Sequence, residues 1–266
     1  MIAPFEASDL KIARAKKHLQ ELETEIAAFF RAKPYRLVIE PWELNNETGF
    51  VSHAWVVRIS GSLTPTVATI IGDIFHNLRT SLDTLACDLV RIAGKSVQQV
   101  YFPFSATANE LPEMIKRRNM NRAGTHVTKM IIDLAPYKGG NTMLRSIHDM
   151  NILDKHQTLV PVIAGGISPA MTIAFDPARP TDIPRIPTKI DRDGQSLVVM
   201  PPISNLPLGT ELPADWAITF DANAGPLAGR EVIETLNQLT GLTESIVQLF
   251  RARFPGPYPC LRPSVP

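Results

Sequence analysis

Residues 65–93, "PTVATIIGDIFHNLRTSLDTLACDLVRIA", govern how the rest of the chain is read. Val67, Ile71, Ile74, Leu78, Leu82, Leu85, Leu89 and Ile92 recur at three- and four-residue steps, which places them on one face of an α-helix. Pro65 suits a first helical position, where its missing N–H removes no bond, and Gly94 suits the end. At about 100° per residue the apolar stripe spans less than a third of the circumference. Away from it lie His76, Arg79 and Asp83, within about 60° of one another. A helix packing into a core has no packing need for that trio.

Working outward, residues 8–32 predict an amphipathic helix carrying Ile12, Leu19, Leu22, Ile26 and Phe30, with Ser8 or Asp9 as cap and Pro34 as stop. "YRLVIEPWEL" and "FVSHAWVVRISG", joined by "NNETG", predict a β-hairpin with Pro41 on a sheet edge. After "YFPF", shorter helices are expected near 108–119, 124–134 and 141–157, the second closed by "APYKGG" and the third running into "TLVPVIAGG". Strands are expected at 170–176, 188–200 (around the turn "DRDGQ") and 216–221, then a helix at 226–253 that Gly241 can kink.

Seven prolines fall in residues 1–160 and 16 in 161–266, so helices should concentrate early. The expected fold is α+β: a predominantly helical bundle of the N-terminal, central and C-terminal helices, with antiparallel β-hairpins packed on one side. It forms a single domain, 1–266, mainly helical with one hairpin over 1–160, β-rich with the last helix over 161–254, and a Pro-rich tail at 255–266.

With 27 basic and 26 acidic residues, no global field draws the chain to nucleic acid or membrane. No signal-peptide pattern or 18-residue apolar run is present, and Cys87 and Cys260 build neither a disulfide framework nor a zinc spacing. A reduced, cytoplasmic protein without a membrane partner is the expectation.

A second cluster lies in "LRSIHDMNILDKHQ". Asp154 falls within the apolar face of Met143, Ile147 and Met150, flanked by Asn151, and a buried carboxylate there needs a donor. Arg79 is the natural partner, since guanidinium forks carboxylates. His76, Arg79, Asp83, Asn151, Asp154 and His156 would then line one polar seam between two helices. A solvated face with a local Arg–Asp pair, or a buried pair fixing helix register, explains the same residues without chemistry.

His76 with Asp83, and His148 or His156 with Asp149 or Asp154, can offer metal ligands. Metal-binding Glu-x-x-His and His-Glu-x-x-His elements are missing and Arg79 opposes a cation, so no metal is expected. No phosphate-loop, Rossmann or nucleophile-elbow motif occurs, and no cofactor is expected. "KRRNMNR", 116–122, is the densest basic stretch and can touch phosphates; such a run is usually a solvated face.

"IGDIFHNLRTSLDTLACDLV", "FPF", "LAPY" and "LDKHQTLVP" together resemble a family of uncharacterised bacterial proteins over roughly residues 64–160. That family's arginine, four residues, then histidine is similar to the signature of HEPN ribonucleases, helical and usually dimeric proteins that cut RNA without metal. Arg79 matches the arginine; Thr84 stands at the histidine position. The resemblance implies a metal-independent ribonuclease or phosphodiesterase, RNA as substrate and a homodimer. Arg79 would stabilise charge, His76 or His156 would act as acid or base, and Asp83 and Asp154 would complete the set. Asn77, Asn151 and Lys155 would hold substrate. Two alternatives stay open: a small-molecule hydrolase or ligand-binding protein using the same seam as its pocket, and a non-catalytic interaction protein.

Overall fold

The structure, a computed structural model, describes residues 3–45, 50–59, 63–156, 161–167, 189–190, 196–200, 211–212 and 214–256. Its helices are α1 (Glu6–Arg31), α2 (Pro65–Ile92), α3 (Leu111–Arg117), α4 (Thr125–Asp133), α5 (Thr142–His156) and α6 (Val232–Arg253). Its strands are β1 (Tyr35–Asn45), β2 (Phe50–Ile59), β3 (Pro161–Ile167), β4 (Lys189–Ile190), β5 (Ser196–Met200), β6 (Glu211–Leu212) and β7 (Ala214–Phe220). Among the described residues the chain is predominantly helical, and no helix is long and apolar enough to cross a membrane. The expected strand at 170–176, the turn "DRDGQ", Cys260 and most of the tail lie outside the described residues, as does the side chain of His156.

Two compact units interleave along the sequence. One comprises Met1–Thr24, Pro65–Val162 and Ile218–Pro266, the other Glu25–Thr64 and Ile163–Ala217. In the second, β1 pairs antiparallel with β2 from Tyr35↔Ile59 to Asn45↔Phe50, in a sheet of order β4-β5-β2-β1-β6. Pro41 does not put β1 on the edge. β6 covers only Leu37 and Val38, so Pro41 sits beyond that ladder, beside a register shift between Pro41 and Glu43 that accommodates its missing N–H. β3 and β7 pair in a separate two-stranded sheet.

In the first unit α2 is the central element. Of its 28 residues 17 are buried, including Ile70, Phe75, Ala86 and Val90 outside the predicted stripe. The narrow stripe underestimates its burial because α2 has neighbours nearly all round: α5, α6 and the 3-10 turn at Met120–Ala123, with α1 bonded to it through hydroxyls. Ser8 Oγ donates to Ser81 O (3.0 Å), Ser81 Oγ donates to Ser8 O (3.1 Å), and Thr84 Oγ1 donates to Ser81 O (2.9 Å). Ser8 is therefore no cap. α1 begins two residues earlier, at Glu6, and the small hydroxyl lets the two backbones approach.

α6 runs through Gly241 as one helix, so the glycine does not split it. It starts at Val232 rather than 226 because Gly225, at φ 55°, interrupts a 3-10 turn and Glu231 caps the helix through the N–H groups of Ile233 and Glu234. The chain entering α1 is anchored by buried Asp88, whose Oδ2 accepts from Phe5 N at 2.8 Å and whose Oδ1 pairs with Arg91. Burial raises the carboxyl's affinity for its proton while the Phe5 amide and Arg91 oppose that shift. Asp88→Ala should cost about 2–3 kcal/mol, the scale of a buried hydrogen bond to a charged group, measured by urea unfolding. A loss under about 0.5 kcal/mol would show that the anchor contributes nothing.

Candidate functional site

Arg79 is buried, at 9% exposure, and not on a wet face. Its cover is the extended segment 100–105 and α5, both of which lie against the polar side of α2. Arg79 Nη1 stands 2.5 Å from Asp83 Oδ1, Nη2 donates to Phe102 O at 3.2 Å, and Nε points at His148 Nδ1 at 3.4 Å. The guanidinium lies 4.9 Å over the Phe104 ring. Asp83 Oδ1 in turn accepts from Phe102 N at 2.8 Å. One helical i,i+4 pair thus satisfies both the carbonyl and the amide of Phe102, in a segment where Pro103 offers no N–H at all. The Nη1 contact is an ion pair without an aligned hydrogen bond, and no other acceptor serves that atom among the described residues.

α5 repeats the device one residue pair further along. Arg145 forks Asp149 (Nε–Oδ2 3.1 Å, Nη2–Oδ1 2.7 Å) and donates from Nη1 to Ser105 O at 2.6 Å. His148, three residues after Arg145, stacks on Phe104, with ring centroids 4.8 Å apart and planes 8° from parallel. Burial, then Arg79 and Arg145, push its pKa down to about 4, while Asp149 pulls upward and Arg118 downward. The imidazole is therefore neutral at neutral pH. Its Nδ1 faces a guanidinium N–H, so the ring keeps its proton on Nε2 and has little capacity as a base.

The expected seam is only partly assembled. Arg79 and Asp83 meet, but Asp154 does not fork Arg79. Gly72 lies beside Asp154, since a Cβ there would fall 2.3 Å from its Oδ1. With Arg79 against His148, α2 and α5 run antiparallel, and Gly72 precedes Arg79 by seven residues, about 10 Å along the axis. Burial raises the Asp154 pKa, Asp73 adds to this and His76 opposes it. Asp154 is only half-buried, so water supplies what the missing cation does not. Removing its carboxylate strands no buried charge.

His76 is exposed on α2, one helical turn from Gly72. Buried Asn77 spends its amide on Asp73 O (2.8 Å), Asn151 is buried on α5, and Lys155 is exposed. Thr84 bonds to α1 and faces about 140° away from Arg79 around α2. A histidine there would enter the α1–α2 hydroxyl contact and not the seam. Among the described residues no three His, Cys, Asp or Glu side chains gather so as to hold a metal ion.

Arg145, His148 and Asp149 are the residues that helical spacing undervalues. His148 and Asp149 read only as optional metal ligands, although the i,i+4 spacing of Arg145 and Asp149 was visible. Compared with known proteins, no family model, curated protein or solved structure matches this chain.

Arg79→Ala should destabilise the protein by about 3 kcal/mol, the scale of breaking a buried ion pair, and Arg79→Lys by about half as much, because an ammonium cannot serve Asp83, Phe102 O and the Phe104 face together. Equal stability of wild type and Arg79→Lys in urea would refute the clamp. For His148 the folded pKa lies below the ordinary 6.5, so the unfolded chain binds more protons between about pH 4 and 6.5. Stability should rise with pH across that window and fall as acid is added. His148→Gln should flatten the slope, and the His148 ring resonances should titrate near pH 4.

Proposed function

We propose that this chain is a non-catalytic binding protein for polyanions, and that its Arg/His/Asp seam is scaffold. The observation that carries this is the double clamp: Arg79 pairs with Asp83 and donates to Phe102 O, Asp83 accepts from Phe102 N, and Arg145 forks Asp149 and donates to Ser105 O, which leaves Arg79 Nη1 buried in an ion pair without an aligned hydrogen bond. A catalytic arginine needs a free fork for phosphate, and a catalytic histidine needs an available lone pair near neutral pH. The clamp instead fixes a segment that continues outward at Tyr101, beside the cation run of residues 116–122. With near-balanced total charge, local concentration of cations is what draws a polyanion.

Purified protein should be retained on immobilised heparin at about 0.1 M salt, and Lys116→Glu/Arg117→Glu should elute in the flow-through with unchanged circular dichroism. Wild type passing unretained would defeat the proposal.

A second reading, the metal-independent HEPN-like ribonuclease or phosphodiesterase, is favoured by one arrangement: exposed His76 lies one helical turn from Gly72, the α2 residue beside the Asp154 carboxylate. There Asp154 would orient His76 as acid or base, one helical turn from Arg79. RNA cleavage that survives chelator and falls about 10²-fold in His76→Ala would select this reading over the first.

A further inference from the structure

Resting on the polyanion-binding reading, we propose that the polyanion is a single-stranded nucleic acid, its phosphates held by Lys116, Arg117 and Arg118 and a base stacked on Tyr101. Four cations occur within residues 116–122, and the carboxylate nearest in sequence, Glu113, is exposed and 3.9 Å from Lys116. Such a pair is weak in water and leaves the surface positive.

The run is also fastened, which a merely solvated face does not require. Tyr101 N donates to Arg118 O at 3.3 Å and Asn119 Nδ2 donates to Gln99 O at 3.2 Å. Arg122 Nη1 donates to both Ser96 O (3.0 Å) and Gln98 O (3.1 Å). Gln99 and Asn119 both sit at positive φ, 56° and 57°, where the two stretches turn against each other. Residues 96–101 and 118–122 therefore form one platform, with less order to impose on binding.

Tyr101 is what separates a nucleic acid from other polyanions. It is 45% exposed, and the Arg118 guanidinium lies 5.5 Å over its ring. A planar aromatic beside a guanidinium matches an unpaired strand, which alternates flat bases with phosphates. A duplex keeps its bases stacked inside and has no use for that ring. A lipid surface calls for a long amphipathic helix with apolar residues along its buried face. Here α3 has seven residues and α4 nine, and neither offers that length.

Fluorescence anisotropy with a labelled 20-nucleotide oligo(dT), and oligo(U) as a second strand chemistry, tests the proposal on the full chain. Binding of either strand should weaken with salt, with a log–log slope of about −2 to −3 for three or four phosphates neutralised. Tyr101→Ala should weaken it about tenfold, Tyr101→Phe should restore it, and Lys116→Glu/Arg117→Glu should weaken it more than tenfold. A duplex of the same length and phosphatidylserine vesicles serve as rival ligands. Equal affinity for either rival, or a silent Tyr101→Ala, overturns the strand assignment. Heparin retention without oligonucleotide binding overturns this proposal alone, whereas loss of heparin retention overturns the polyanion reading beneath it.

Discussion

The first unit depends on how the peptide of Phe102 is satisfied. Phe102 and Phe104 are buried in a segment outside any helix or strand, and among the described residues no strand pairs with it at Phe102. Each unpaired backbone group there would lose its water without compensation. Arg79 and Asp83, one turn apart on α2, supply a donor to the carbonyl and an acceptor to the N–H of the same residue, Phe102. They act as a short substitute for a neighbouring strand. Arg145 then takes the carbonyl of Ser105, so two helices hold the same segment from two sides. The rings of Phe102 and Phe104, 5.2 Å apart, fill the space this leaves between the clamps.

That arrangement settles the chemistry of His148. Its ring stacks on Phe104, and burial, then the charges of Arg79 and Arg145, lower its pKa while Asp149 opposes them. Positive surroundings and burial both disfavour a second proton, and the neutral ring packs as an aromatic that also accepts from Arg79. A histidine in such a place resembles a proton-transfer residue by composition while lacking its defining property. His76 has the opposite character: it reaches water, but no bond in the described structure fixes its ring.

Apolar periodicity made α2 and most of α1 and α6 legible, because their buried faces repeat at helical spacing. It could not reveal that the polar side of α2 is covered too, since the cover comes from "YFPF", which has no periodicity of its own. Arg79 consequently reads as an exposed candidate catalyst until its neighbours in space are known. Asp154 misleads for a related reason. Its place on an apolar face demands a partner only if the face is closed, and Gly72 leaves room for the carboxylate beside the α2 backbone, open to solvent. Ser8 reads as a cap by residue type, and its contact with Ser81 and Thr84 lies more than seventy residues away in sequence. In each case the deciding contact is long-range, where one-dimensional patterns carry no information.

The clamp also reaches the surface. Tyr101 immediately precedes Phe102, and its own amide is held by Arg118. Its backbone is thus fixed on one side through Phe102 by the half-buried Asp83 and on the other by the basic segment. Arg118 completes the circuit, since its field acts on Arg79 and on His148 while its guanidinium covers the Tyr101 ring. Arg79 and Asp83 thus fix the segment that leads from buried Phe102 to exposed Tyr101.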